Sequence, residues 1–258
     1  MRALVKRLLR LLPGPLYSRL RTLYWRLGGP GRRSRVIQPG PFLSRVYARV
    51  DAISGWLKPE DAYQFSLLLN TQTSLGLRGD ILEIGCYHGR SSALLALHLQ
   101  PEEHLVVCDA FDLPLAEPYT PTPTPLTLRT NLESAVPGLR PGALEIHRCY
   151  SGELHLPAGT RFRFVHVDGD HSEAACGQDL RLAAEHLLPG GIIAVDDYQH
   201  PDYPGVTAAV AGFLATNPTF QVLGDANRPG ALGRKLYLGS GERNRSAVAG
   251  MITPRGAA

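Results

Sequence analysis

A short glycine-containing segment at residues 83–92, EIGCYHGRSS, follows directly after an apolar run of strand length. Gly85 and Gly89 allow the backbone to come close to a ligand. The segment also opens a predicted helix, whose first amides could bind an anionic group such as a carboxylate. The spacing is Gly-x-x-x-Gly and lacks the third glycine of the dinucleotide fingerprint, which disfavours nicotinamide and flavin cofactors. Adenosylmethionine fits this pattern better.

An aspartate downstream of the glycines supports the same interpretation. Asp109 follows the second apolar run of strand length, at 104–108. In doubly wound folds, a carboxylate at this place can accept hydrogen bonds from both hydroxyls of a ribose. A tight turn and a solvated aspartate would explain either feature alone. The two features together predict a binding site for adenosylmethionine.

Two later strand ends also carry acidic residues. Asp168 follows the apolar run 162–167, and Asp196 and Asp197 follow the run 191–195. If these strands are parallel neighbours, about 4.8 Å apart, the three carboxylates converge at one edge of the sheet. Their charges repel, so we expect a nearby cation, and hard oxygen ligands with open positions suit Mg²⁺ or a similar divalent ion. The three aspartates are therefore the candidate metal ligands.

Asp170 and His171, which follow Asp168 closely, also have candidate roles. Asp170 precedes a predicted helix and lies three residues before Glu173, so we expect it to be the N-cap of that helix, with metal ligation as the alternative. His171 can act as a general base near neutral pH, and it can equally pair structurally with a neighbouring carboxylate. Both interpretations of His171 stay open at the level of the sequence.

The elements that must position these residues begin at Lys58. From there, apolar runs of strand length alternate with segments of helical periodicity, which is typical of a parallel sheet covered by helices. We predict a doubly wound, mostly parallel seven-stranded α/β fold. The predicted strands are 81–84, 104–108, 144–147, 162–167, 191–195, 220–223 and 235–238. The predicted helices are 60–70, 91–99, 126–135, 172–188 and 206–215, and residues 114–125 are a predicted surface loop.

The charge distribution divides the chain into regions. Residues 1–50 hold twelve Lys and Arg and no Asp or Glu, whereas the other 208 residues hold 15 basic and 23 acidic side chains. This pattern predicts a basic helical arm and linker over 1–57, an acidic domain over 58–240 and a disordered tail over 241–258.

Composition excludes several protein classes. A chain of 258 residues, 44% of them hydrophobic, can bury one substantial core. It has no apolar run long enough to span a membrane, and charged residues interrupt its N-terminal leucines, so we expect a cytoplasmic protein. The four cysteines form no CxxC pair, so we expect reduced core thiols.

With these residues in view, the chain resembles class I S-adenosylmethionine-dependent methyltransferases. Residues 81–92 resemble the cofactor loop of catechol- and caffeoyl-CoA-type metal-dependent O-methyltransferases, including the positions of Tyr87 and Ser91. Residues 164–213 contain FVHVDGDHSEAACGQDL, LLPGGIIAVDDY and PGVTAAVAGF, and they resemble the bacterial macrocin-type sugar O-methyltransferases. The resemblance implies a Rossmann-like methyltransferase fold.

The resemblance also implies a role for each candidate residue. Around the cofactor it places Glu83, Gly85, Tyr87, Gly89, Ser91, Asp109, Ser151 and Asp168. A divalent metal would be held by Asp168, Asp196 and Asp197. Catechol-type enzymes place a catalytic lysine three residues after the first metal aspartate, and His171 stands there in this chain. The proton would then be removed by His171 or by a metal-bound carboxylate such as Asp168.

The implied reaction is direct displacement, in which an acceptor oxygen attacks the methyl group of the sulfonium while Mg²⁺ orients it. We expect O-methylation of a sugar, a glycolipid or a small natural product, and a phenol or an amine is also compatible. A metal-independent enzyme and an N-methyltransferase are alternatives, as is a binding module without turnover. Three converging aspartates argue against the binding module.

The basic arm could bind nucleic acid, a membrane surface or another part of the protein. A pI near 9.0 suggests nucleic acid, but the body is acidic and has no Pro-Pro-Tyr type signature, so we expect no nucleic-acid partner. On a helical wheel, residues 1–30 form two amphipathic basic helices that can lie on an anionic membrane surface. They can equally pack on the domain as a lid, or as a dimer contact in a homo-oligomer.

Overall fold

Residues 41–115, 119–227 and 232–240 are described by the structure, a computed structural model, and they form seven strands and six α-helices. The helices are α1 (Pro41–Asp51), α2 (Pro59–Ser74), α3 (Arg90–Ala96), α4 (Pro125–Ala135), α5 (Glu173–His186) and α6 (Pro204–Thr216). The strands are β1 (Asp80–Ile84), β2 (Leu105–Asp109), β3 (Leu144–Arg148), β4 (Phe162–Val167), β5 (Leu187–Tyr198), β6 (Phe220–Asn227) and β7 (Arg234–Ser240).

All seven strands form one sheet in the order β3-β2-β1-β4-β5-β7-β6. The first five strands of this order pair in parallel, and β7 runs antiparallel to both β5 and β6. The mostly parallel seven-stranded fold predicted from the sequence is confirmed, and each predicted strand overlaps an observed one.

Helices cover both faces of the sheet, because alternate residues of the central strands point to opposite sides. Ile81 of β1 packs in a core with residues of α1, α2, α3 and α4, while Leu82 packs in a second core with residues of α5 and α6. Local sequence signals set two of the helix starts. Thr124 caps α4 by accepting from the Thr127 amide, and Ser172 caps α5 by accepting from the Ala175 amide.

Helix α1 lies within the segment predicted to be arm and linker. Its Val50 and the following Ile53 are buried in the core, so residues 41–57 pack with the domain. Residues 1–40 and 241–258 lie outside the described residues, and the amphipathic arm and the disordered tail stay predictions. Within the described ranges, none of the helices combines the length and the apolar character needed to cross a membrane.

The sheet brings the candidate residues to one edge. Strands β2, β1, β4 and β5 are parallel neighbours, so the segments after their last residues meet at their carboxyl ends. Ligands of open α/β sheets bind in this crevice. The described free thiols also agree with the sequence: Cys86, Cys108 and Cys176 are buried and Cys149 is half-buried, all unbridged.

Candidate active site

The loop between β1 and α3 has a left-handed backbone at three positions. Gly85, Tyr87 and Gly89 have φ values of 83°, 50° and 91°. A Cβ on Gly85 would lie 2.0 Å from the carbonyl oxygen of Asp168, and one on Gly89 would lie 2.8 Å from a methyl carbon of Leu132. Gly85 is therefore required by the close approach of the Asp168 backbone, and Gly89 chiefly by its left-handed backbone. Gly85 also brings the loop into close backbone contact with Asp168 and Gly169, at the end of β4.

Asp109, at the end of β2, fastens this loop. Its Oδ2 accepts hydrogen bonds from the amides of Cys86 and Tyr87, both at 2.8 Å, and its Oδ1 accepts one from the Phe111 amide at 2.7 Å. The carboxylate thus shapes the glycine loop through the backbone. Its predicted contact with ribose hydroxyls stays a prediction, which would use the remaining lone pairs of the same oxygens.

Glu83 lies beneath the loop in a buried chain of polar side chains. One carboxylate oxygen lies 2.8 Å from Nδ1 of His166, and the other accepts a hydrogen bond from Ser92. Burial, followed by the charge of Lys235, lowers the pKa of His166, although Glu83 opposes this shift. Glu83 therefore supports the floor of the predicted cofactor site.

Ser151 begins a 3₁₀ turn, Ser151–Glu153, after β3. It lies near Asp179 of α5, whose carboxylate is 1% exposed. Burial raises the pKa of Asp179 to about 6, although the Ser151 hydroxyl opposes the shift. A Cβ on Gly169, next to Asp168, would lie 3.1 Å from Oδ2 of Asp179, so this carboxylate packs under the end of β4.

Asp168 lies close to each of the other two predicted ligands, Asp196 and Asp197, but among the described residues no single group contains all three aspartates. Asp168 belongs to two groups of side chains whose ligand atoms lie within 4.8 Å of one another. We call His166, Asp168 and Asp196 the inner set, and Asp168, His171 and Asp197 the outer set. Burial raises the pKa of Asp168 well above its ordinary value, and the charges of Asp196 and Asp197 raise it further. The carboxylates at this edge thus need positive charge.

The two adjacent aspartates after β5 face different partners. Asp196 is 8% exposed, and its Oδ2 accepts a hydrogen bond from the ammonium of Lys235 at 2.6 Å. Asp197 is half-buried and has a left-handed backbone with φ 51°. A Cβ on Gly233 would lie 2.9 Å from its Cα, so the turn before β7 holds Asp197 in place.

His171 lies beside Asp197 in the outer set. Its Nε2 is 3.3 Å from Oδ2 of Asp197, and this buried nitrogen makes no hydrogen bond of good geometry within the described residues. The imidazole stacks on Tyr203 with 4.0 Å between ring centroids, and Tyr203 stacks on His200 at 4.5 Å. This orientation is compatible with a base and with a metal ligand.

The prediction that Asp170 caps α5 is wrong by two residues. Ser172 is the N-cap, and Asp170 accepts a hydrogen bond from the Ser172 amide at 2.7 Å. The aspartate thus forms the turn before the helix, because a short carboxylate side chain readily accepts from the amide two residues ahead.

A cleft runs from the loop to Asp168 and Asp196. It is lined by Gly85, Cys86, Tyr87, Arg90, Ser91, His166, Asp168, Asp196 and Lys235, together with residues 55–57. Three aromatic rings stand together at the loop: the centroid of Tyr87 lies 4.9 Å from that of Trp56 and 5.0 Å from that of Tyr119. Trp56 is 57% exposed, so it offers an apolar surface beside the cleft.

Sequence reasoning missed His166, Lys235 and Trp56. The first two are single ionisable residues within apolar strands, FVHV and KLYL, which signals a buried polar contact. Their partners could not be predicted, because Lys235 reaches Asp196 only through the antiparallel pairing of β7 with β5, which is irregular between Val195 and Tyr198.

The residues present fit both implied groups. The cleft joins the left-handed loop directly to the carboxylates, as a cofactor with a reactive methyl group requires. The outer set offers two carboxylates and one imidazole nitrogen, and that nitrogen is buried without a well-formed hydrogen bond. Oxygen-rich sets of this kind suit Mg²⁺ or Mn²⁺.

Comparison with known proteins finds a family match in this region. A family model described as a methyltransferase domain matches residues 82–198, which include both the loop and the aspartates. No curated protein sequence matches the chain significantly.

Solved structures share the fold. The O-methyltransferase TomG from Streptomyces achromogenes, involved in tomaymycin synthesis and solved with SAM, has 18% identity and a TM-score of 0.54, over 81% of this chain and 93% of its own. NovP, an O-methyltransferase, has 15% identity and a TM-score of 0.56, over 70% and 81%. CalS11, a TDP-rhamnose 3′-O-methyltransferase of calicheamicin biosynthesis, has 18% identity and a TM-score of 0.52, over 80% and 97%.

Proposed function

We propose that the chain is a class I S-adenosylmethionine-dependent methyltransferase that methylates a hydroxyl oxygen with the help of a divalent metal ion. The observation that carries the proposal is the outer set, Asp168, His171 and Asp197, whose Asp168 lines the cleft that begins at the glycine loop. An acceptor held there would face the methyl group of a cofactor bound at the loop.

The choice of oxygen as the methylated atom draws on the structural relatives. TomG, NovP and CalS11 are all O-methyltransferases, and CalS11 acts on a sugar. Their sequences differ widely from this one, so they support a class of reaction and not a particular acceptor. We infer that the acceptor is a hydroxyl of a sugar or of a small natural product.

In the proposed mechanism, Asp168, His171 and Asp197 of the outer set would hold the metal ion. Bound adenosylmethionine supplies an electrophilic methyl group, and a divalent ion supplies positive charge beside the acceptor oxygen. Asp168, which lies in both sets and lines the cleft, would take the hydroxyl proton. His171 is kept in place by its stacking on Tyr203. Alignment of the acceptor then supplies much of the rate enhancement.

One observation favours a second candidate, a metal-independent methyltransferase. Lys235 already places an ammonium among the carboxylates, 2.6 Å from Asp196. In that case the charge of Asp196 is compensated from within the protein, and the imidazole of His171, 3.3 Å from Asp197, would be the base. The two candidates differ in their response to a chelator.

The test of the proposal is an assay of methyl transfer from labelled adenosylmethionine to glycosyl, phenolic and amine acceptors with Mg²⁺ present. We expect transfer to at least one hydroxyl acceptor, with an O-methyl product identified by NMR. Methylation of amines alone would contradict the proposal. Asp170→Asn serves as a control variant that should keep this activity. Asp170 lies beside the site, but its described hydrogen bond is to the Ser172 amide in the turn before α5.

A further inference from the structure

The site contains one buried cation that the proposed mechanism does not use. Lys235, the second residue of β7, is 1% exposed. Its ammonium lies 2.6 Å from Oδ2 of Asp196, 3.0 Å from Nε2 of His166 and 5.2 Å from the ring centroid of Phe65. A buried ammonium is stable only when it is paired and hydrogen-bonded, so these contacts fix its position.

The contacts of Lys235 continue toward the glycine loop. An ammonium has no acceptor, so Nε2 of His166 must accept and Nδ1 must carry the proton. That proton points at Glu83, 2.8 Å away, and the other oxygen of Glu83 accepts from Ser92 of α3. A continuous hydrogen-bonded chain therefore links Asp196 to the helix that follows the loop.

Both oxygens of Asp196 accept hydrogen bonds in this arrangement. Lys235 bonds to its Oδ2, and the amide of Asp197 donates to its Oδ1 at 2.8 Å. The ammonium lies 2.6 Å from Oδ2 of Asp196 and 3.0 Å from Nε2 of His166, so its positive charge opposes the binding of a divalent ion at the inner set. Asp168 and Asp197, in contrast, both face His171 in the outer set.

We propose that Lys235 is a positioning residue, a built-in cation that holds Asp196 away from the metal and confines a divalent ion to the outer set. The inference rests on the proposed metal-assisted function. It changes the assignment of the three aspartates: Asp168 and Asp197 are metal ligands, whereas Asp196 anchors the hydrogen-bonded chain below the loop.

The test is a titration of the full chain with Mn²⁺ alone, followed by electron paramagnetic resonance of the free ion. We expect Lys235→Met to bind Mn²⁺ at least tenfold more tightly than wild type, or to gain a second Mn²⁺, because the inner set becomes available. Adding Asp196→Asn to Lys235→Met should remove the gain. A folded Lys235→Met protein with unchanged Mn²⁺ binding would overturn the proposal.

A second pair of variants covers the case in which Lys235→Met does not fold. With Lys235 intact, Asp196→Asn should change Mn²⁺ affinity less than about twofold, while Asp197→Asn should weaken it at least tenfold. Equal weakening by both would overturn the proposal. If wild type binds no Mn²⁺, the proposed metal role fails. The role of Lys235 is then decided by whether Lys235→Met gains a Mn²⁺ site, and Lys235→Gln replaces it if the methionine variant is unfolded. Absence of a gained site would overturn the role of Lys235.

Discussion

Charged side chains lie at both ends of strand β4, but their charges are compensated to different extents. At the first end, Arg163 is completely buried against Glu103, which is 4% exposed. Its Nε and Nη2 donate to the two oxygens of Glu103 at 2.9 and 2.8 Å, and Nη2 also donates to the carbonyl of His98. The amides of Gly79 and Gln100 donate to the same carboxylate.

At the other end, Asp168 faces Asp196 and Asp197, and these neighbours raise its pKa further than burial alone. The buried Nε2 of His171 in the same group lacks a well-formed hydrogen bond within the described residues. The comparison indicates that a buried charge whose partners are all supplied by the protein serves the fold, whereas an incompletely compensated group is available for chemistry.

The largest expected effect is on stability at the first end. Arg163→Met should lower the free energy of unfolding by about 3–5 kcal/mol, because Glu103 is left buried without its partner. Denaturant unfolding measures this change. Arg148→Met, which breaks the exposed pair with Asp112, is the matched control and should have almost no effect. Equal effects of the two variants would break the comparison.

At the other end, the corresponding change should affect activity and not folding. Asp197→Asn should lower methyl transfer on the order of 100- to 1000-fold, because one group that stabilises charge in the transition state is lost. The melting temperature and the affinity for adenosylhomocysteine should be retained, as should the activity of Asp170→Asn. Activity that falls only in proportion to the folded fraction would assign Asp197 a structural role.

The buried carboxyl of Asp179 should make the stability of the protein depend on pH. Its pKa is 3.8 in the unfolded chain and about 6 in the folded protein, so the folded state binds the proton more tightly. The stability that this proton provides is present below about pH 4 and is lost as the pH rises through about 6. Asp179→Asn should therefore raise the free energy of unfolding at pH 7.5 by about 2–3 kcal/mol relative to its effect at pH 4.

The control for this pH dependence is Asp170→Asn. The hydrogen bonds from Ser172 lower the pKa of Asp170, so its contribution has the opposite sign and is lost as the pH falls. Thermal melts from pH 4 to 7.5 distinguish the two variants. A pH-independent effect of Asp179→Asn would show that its carboxyl is not destabilised by burial.

The smallest expected effect concerns cofactor affinity. Asp109→Ala should weaken binding of adenosylhomocysteine about tenfold to 100-fold, because the loop loses its carboxylate clamp and the ribose loses an acceptor. Calorimetry measures the affinity. Asp112→Ala, three residues along the same segment, should change it less than about twofold. The reverse order would move the ribose contact to Asp112.

The sequence predicted the two motifs at this edge because each is a continuous segment at the end of an apolar strand. Loop 83–92 and the aspartates Asp168, Asp196 and Asp197 were predicted in this way. The parallel order of the strands predicted that they lie at the same edge of the sheet. Lys235 could not be placed, because its contact depends on an antiparallel strand that comes last in the chain and on an irregular register. The same limit hid the division of the aspartates into two sets.

Removal of divalent ions tests the proposed function most directly. Methyl transfer from labelled adenosylmethionine to the best hydroxyl acceptor is measured with wild type before EDTA treatment, after it, and after Mg²⁺ is returned. We predict a loss on the order of 100-fold or more in chelator, recovery with Mg²⁺, and no recovery for Asp197→Asn. Full transfer in chelator would contradict the metal role and would favour the metal-independent enzyme with His171 as its base.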